Sequence, residues 1–106
     1  MIPSLQPAQL AERLSQPNPP IVLDVREAWE YELCALADSV HIPLQQLPTR
    51  MKQLAKDTEI VCVCHHGVRS LQAGAFLNQN GYSTVMNLAG GIDAWAREIA
   101  PTMARY

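Results

Sequence analysis

Apolar residues in this chain alternate between two spacings. Four short runs are nearly continuous: Ile21-Val22-Leu23-Asp24-Val25, Val40-His41-Ile42, Ile60-Val61-Cys62-Val63 and Thr84-Val85-Met86-Asn87-Leu88. Between them the apolar positions fall three and four residues apart. The continuous runs predict strands, and the unbroken Ile60–Val63 run predicts one buried on both faces. The spaced segments predict helices. The first, from Gln6 to Leu14, has Leu10, Ala11 and Leu14 on one face, and the second runs from Glu27 to Leu33. The third, from Leu47 to Ala55, carries Leu47, Met51, Leu54 and Ala55. The fourth, from Ser70 to Asn80, carries Leu71, Ala75, Phe76 and Leu77, and the last begins at Ile92-Asp93-Ala94-Trp95. Pro17-Asn18-Pro19-Pro20, Pro43, Asn80-Gly81 and Pro101 punctuate the pattern, because proline and glycine end regular structure. Strands alternating with helices predict an α/β fold with a mainly parallel sheet. Such sheets bind ligands outside the carboxyl ends of their strands. Asp24-Val25-Arg26 and Cys64 both fall at predicted strand ends.

Composition narrows the class. With 106 residues, 48% apolar and 17% charged, the chain suits a single globular domain spanning residues 1–106. The net charge is −2 and the eight Lys and Arg are scattered, which argues against a nucleic-acid surface. No apolar run reaches the roughly 18 residues of a membrane span, and the first residues lack the basic and apolar regions of a signal peptide. Three cysteines without C-x-x-C spacing suit free thiols in a reducing compartment, so a cytoplasmic protein is expected.

The chemistry concentrates in Cys64-His65-His66-Gly67-Val68-Arg69-Ser70. A cysteine at a strand end, followed by a short loop and a helix start, meets backbone N–H groups and the positive end of a helix dipole. Arg69 adds a full charge, and the combination favours a thiolate nucleophile. Gly67 permits the backbone turn that points successive N–H groups inward. Cys62, two residues back in the apolar run, reads as core, and Cys34 as a spare thiol rather than a resolving one. Cys62, Cys64, His65 and His66 lie too close together in sequence to converge on one ion, so no metal is expected. Trp29 and Trp95 read as packing residues, and Gly90-Gly91 as a turn beside the site.

Four motifs, in order, resemble those of the single-domain rhodanese (thiosulfate sulfurtransferase) family. They are Leu23-Asp24-Val25-Arg26-Glu27, His41-Ile42-Pro43-Leu44, Val63-Cys64-His65-His66-Gly67-Val68-Arg69-Ser70 and Leu88-Ala89-Gly90-Gly91-Ile92-Asp93-Ala94-Trp95, within a motif-bearing core from 21 to 95. The resemblance implies a rhodanese-like domain with a central, mainly parallel five-stranded sheet flanked by helices. It implies sulfur transfer through a persulfide on Cys64, from thiosulfate or another donor to cyanide or a thiol. His65, His66, Gly67, Val68 and Arg69 match the substrate cradle, and Arg26 would recruit an anion at the mouth. Asp24 and Ser70 would support the site's frame. No cofactor is implied, and a monomer would suffice. A protein-to-protein sulfur carrier is the alternative, with a protein as donor or acceptor. Related phosphatases use C-x5-R, whereas Cys64 to Arg69 is C-x4-R, which favours one sulfur over the larger phosphoryl group. The segment Cys34-Ala35-Leu36-Ala37-Asp38-Ser39 lacks the family's usual glycine and histidine, and His41 stands where asparagine is common.

Overall fold

The computed structural model describes residues 2–106. Five strands form one sheet: β1 (Ser4–Leu5), β2 (Ile21–Asp24), β3 (Val40–His41), β4 (Ile60–Val63) and β5 (Val85–Leu88). Their order is β1-β5-β4-β2-β3, and every pairing is parallel rather than mainly so. β4 is central, and all four of its residues are buried, as its unbroken apolar run predicts. The helices are α1 (Pro7–Leu14), α2 (Ala28–Leu33), α3 (Leu47–Arg50), α4 (Val68–Gln79) and α5 (Gly91–Glu98).

The two-residue period of the strands divides the core into two layers. Ile60, Cys62 and Cys64 point to one face with Leu23, Val25, Val85 and the α4 residues Ala73 and Leu77. Val61 and Val63 point to the other with Val22, Met86 and Leu88, against Leu10 of α1 and Ile92 and Trp95 of α5. Cys62 therefore belongs to the core beneath α4, where burial, reinforced by neighbouring Cys64, pushes its thiol up to about 12. It stays protonated and inert at neutral pH.

Three features depart from the sequence pattern. β1 was not signalled: two residues between Pro3 and Pro7 are too short to show a period. It forms because Asn87 N–H donates to Pro3 O at 2.9 Å and Ala89 N–H to Leu5 O at 2.8 Å. α4 begins at Val68 rather than Ser70, which brings the helix start closer to Cys64. The helix expected over Leu47–Ala55 is broken into α3 and a 3-10 turn, Met51–Gln53. Leu54 is already extended there, at φ −106° and ψ 131°, yet still buried. The Tyr82 hydroxyl, from the turn after α4, lies 2.6 Å from Met51 O and 2.8 Å from Leu54 O. Met51 O also accepts from the Leu54 N–H at 2.9 Å, so the hydroxyl chiefly serves Leu54 O, which a continuing helix would have paired with its own N–H. Tyr82→Phe is therefore expected to cost about 1 to 3 kcal/mol, since the buried Leu54 carbonyl would lose its donor. Urea titration of the two proteins measures the difference.

Candidate active site

Cys64 follows the last residue of β4, and its side chain is 1% exposed. The Gly67 N–H donates to Cys64 Sγ at 3.0 Å. Gly67 caps α4 with φ +111°, a conformation that suits glycine and turns its N–H back toward the sulfur. Ser70 Oγ, from the first turn of α4, lies 3.3 Å from Sγ and donates to Oδ1 of Asn87 on β5. Ser70 and Asn87 are both buried, so the sulfur has a polar wall inside an otherwise apolar layer.

The loop is seated on α5. Ile92 N–H donates to Cys64 O at 2.8 Å, and Asp93 N–H to His65 O at 3.1 Å. A helix N-terminus has free N–H groups, and here two of them are taken up by the loop carbonyls. The approach is close enough that a Cβ on Gly91 would lie 2.3 Å from His65 O and 2.5 Å from Cys64 O. Gly90-Gly91 thus serves close backbone contact as well as a turn, at φ +73° and +64°.

A chain of polar contacts runs beside the loop. Arg26 Nε and Nη2 fork onto Asp24 at 2.7 to 3.1 Å. Arg26 Nη1 reaches the Tyr106 hydroxyl at 3.0 Å, and that hydroxyl donates to Glu30 Oε2 at 2.7 Å. Arg69 closes the chain with two bonds to Glu30, at 2.6 and 2.8 Å. Glu30 is 3% exposed, and chiefly the Arg69 bonds hold its carboxyl down to about 2 against the opposing effect of burial. Burial opposes the Arg26 charge, but Asp24 and Tyr106 more than offset it, and its pKa is raised. Arg69 is also raised, first by its bonds to Glu30.

The family model for the rhodanese-like domain matches residues 6–98. The chain belongs to the rhodanese-like domain family. It is 36% identical to a sulfurtransferase of Allochromatium vinosum, over 98% of this chain and 97% of that protein. It is 29% identical to the adenylyltransferase and sulfurtransferase of Arabidopsis thaliana, over 92% of this chain but only 25% of that larger protein. Among solved structures, the rhodanese-related protein of Thermoplasma volcanium superimposes with a TM-score of 0.85 at 35% identity, over 93% of this chain and 95% of that one. These relatives make this rhodanese-like chain a member of a family of sulfurtransferases.

Against that frame the expected site residues divide. Cys64, Gly67 and Ser70 come together. Val68 is 68% exposed as the first residue of α4, and His66 is exposed in the loop. His65 is sandwiched, its ring centroid 3.9 Å from those of His66 and Tyr106. Burial, and then neighbouring His66, lower its pKa. Arg26 is not at the mouth: it is 0% exposed and also donates to Glu30 O and Cys34 O. Its side chain turns inward because Asp24, two residues earlier, offers both carboxylate oxygens and leaves no pull toward solvent. Asp24 thus acts on the frame through Arg26. Trp29 is 60% exposed instead of packed, whereas Trp95 is buried. Cys34 is half-buried with Arg26 Nη1 3.8 Å from its Sγ. Among the described residues, no three His, Cys, Asp or Glu side chains are placed to hold a metal ion, and no helix is long and apolar enough to cross a membrane.

Asn87, Glu30 and Tyr106 were missed. Asn87 gave a signal, as a polar residue in the apolar Val85–Leu88 run. Glu30 gave a weaker one: it stands three residues after Glu27, whose N–H it accepts at 2.9 Å at the start of α2. Tyr106 gave none. Because Glu30 is more acidic folded than unfolded, its contribution to stability is complete above its ordinary value of 4.5 and is lost as pH falls toward about 2. Between about pH 5 and 2.5 the wild type is expected to lose roughly 2 kcal/mol more stability than Glu30→Gln, which lacks this titration. Denaturant midpoints across that range, compared between the two proteins, measure it.

Proposed function

We propose that this rhodanese-like chain moves a sulfane sulfur from thiosulfate, or a similar anionic donor, through a persulfide on Cys64 to a thiol or cyanide. The observation that carries this reading is the Cys64 sulfur at the foot of a six-residue loop, with the Gly67 N–H directed at it and the N-terminus of α4 beside it. That environment stabilises sulfur as an anion by a charge-assisted hydrogen bond and the helix dipole. At 1% exposure the sulfur is open only to a donor that presents a terminal atom end-on. Thiosulfate has that shape. The Cys64 thiolate attacks its outer sulfur, a Cys64–sulfur bond forms, the sulfur–sulfur bond of thiosulfate breaks, and sulfite leaves with the electron pair. The acceptor then attacks the outer persulfide sulfur, and Cys64 departs as a thiolate.

Ser70 adapts to both protonation states. With its proton on Asn87 Oδ1 it accepts from the Cys64 thiol, and by hydroxyl rotation it donates to the thiolate. Arg69 has five N–H donors, of which two serve Glu30, and its side chain is 34% exposed. The remaining donors are available to the sulfonate end of thiosulfate. Glu30 offsets much of the Arg69 charge, so the contribution of Arg69 is one of orientation more than of bulk attraction.

A second reading, sulfur supplied by a protein, is favoured by the apolar residues that flank the loop. Trp29, Val68 and Leu71 are 60%, 68% and 41% exposed. One experiment separates the two. Reduced protein incubated with thiosulfate is expected to gain about 32 Da, and Cys64→Ser to gain nothing. Gain in Cys64→Ser overturns the role of Cys64; no gain in the wild type overturns thiosulfate as donor and leaves the protein donor. Arg69→Ala is expected to raise the KM for thiosulfate by about tenfold with a smaller change in kcat. Steady-state rates with cyanide as acceptor measure it, and an unchanged KM would remove Arg69 from donor binding.

A further inference from the structure

The segment after α5 folds back over the cysteine loop, and its contacts there are specific. Arg105 is tied to Asp93 of α5 by bonds of 3.0 and 3.3 Å. One residue on, the Tyr106 ring stacks on His65 at 3.9 Å and 12°, and meets Trp29 of α2 edge-on at 5.5 Å. Its hydroxyl accepts from Arg26 and donates to Glu30. Burial, the largest influence, pushes the phenol up to about 12, so it remains a donor at neutral pH. Tyr106 therefore touches two things on which the reaction depends: the residue after Cys64, and the carboxylate that orients Arg69.

We propose that Tyr106 is a positioning residue for sulfur transfer: its ring fixes His65 and so the cysteine loop, and its hydroxyl fixes Glu30 and so Arg69. The proposal rests on the sulfur-transfer reading above, with Arg69 meeting the donor anion. The His65 side supports it. Nε2 of His65 is buried with no hydrogen-bond partner among the described residues, a state that disfavours a second proton on the ring. The groups around that ring are His66 of the same loop, Asp93 of α5, Glu30 of α2, and Arg105 and Tyr106 of the covering segment. The acidic ones and a hydrogen bond to the Tyr106 backbone, which both variants below retain, favour protonation, so the ring's burial and His66 are what keep it neutral. Removing the Tyr106 ring opens the imidazole to water and the neighbouring carboxylates then act on it.

Two variants separate the ring from the hydroxyl. Tyr106→Phe keeps the stack and loses the bonds to Arg26 and Glu30; Tyr106→Leu loses both. Tyr106→Leu is expected to raise the KM for thiosulfate about tenfold with kcat within about twofold, and Tyr106→Phe to raise KM about threefold. Histidine ring resonances followed by NMR between about pH 5 and 8 are expected to show the His65 midpoint shifted upward in Tyr106→Leu and unchanged in Tyr106→Phe. A wild-type KM in Tyr106→Leu, or a wild-type His65 titration in it, overturns the proposal. So does a fall in kcat alone that follows the loss of folded protein by circular dichroism, since that marks a purely structural contact. If the wild type takes no sulfur from thiosulfate, the thiosulfate reading fails at that point, and the His65 titration by itself decides whether Tyr106 holds the loop.

Discussion

Two backbone hydrogen bonds, from the first turn of α5 to the carbonyls of Cys64 and His65, set the position of the Cys64 sulfur. The loop leaves β4 in the middle of the sheet, and its carbonyls would otherwise point into a region where water cannot serve them. Donors from α5 satisfy them and fix the loop's height above the strand. That arrangement requires α5 to approach without side chains between, which is why Gly91 stands where a Cβ would overlap two carbonyl oxygens. With its carbonyl side held, the loop can turn the Gly67 N–H toward Sγ. The electrostatics at the sulfur follow from a constraint made one element away.

The charged residues near the site are used in a way that their charges alone do not reveal. Asp24 and Arg26 neutralise each other out of water, a pairing that persists because the guanidinium fork matches both carboxylate oxygens and spends its other N–H groups on backbone oxygens and Tyr106. Glu30 and Arg69 repeat the pattern nearer the surface. Tyr106 joins the two pairs, so that α2, α4 and the segment after α5 meet through one polar network. A buried network of this kind rewards completeness: each carboxylate oxygen and each guanidinium N–H that lacked a partner would carry a desolvation cost. The outcome is a frame around the cysteine loop, with parts of Arg69 and Tyr106 left facing solvent.

The sulfur itself sits between two kinds of neighbour. Toward α4 it meets Ser70 and, through it, Asn87; toward the sheet it shares a layer with Cys62, Leu23 and Val25. The two cysteines differ by two residues and point to the same face, yet only one meets a donor. Cys62 lies within β4, where the ladder uses every nearby N–H, whereas Cys64 lies beyond it, where the chain turns and amides become free. This difference in local backbone is what sets the Cys64 sulfur apart from that of Cys62.

Much of this was present in the order of residues. Apolar periodicity located four of the five strands and the helices, because burial on one or two faces leaves a direct trace in spacing. The cysteine loop was legible because a strand end, glycine and helix start must follow one another along the chain. β1 and the break after α3 were not, since each depends on partners far away in sequence: Asn87 and Ala89 for the strand, Tyr82 for the break. The same reason governs the site. Sequence determined which cysteine stands at the strand end before the loop and which glycine caps the helix, as both follow from neighbours a few positions apart. Only the tertiary structure decided that Arg26 is buried, that Arg69 is bound to Glu30, and that Tyr106 covers His65. A side chain's charge is a property of the residue, but its direction is settled by whichever partner the folded chain brings within hydrogen-bonding distance.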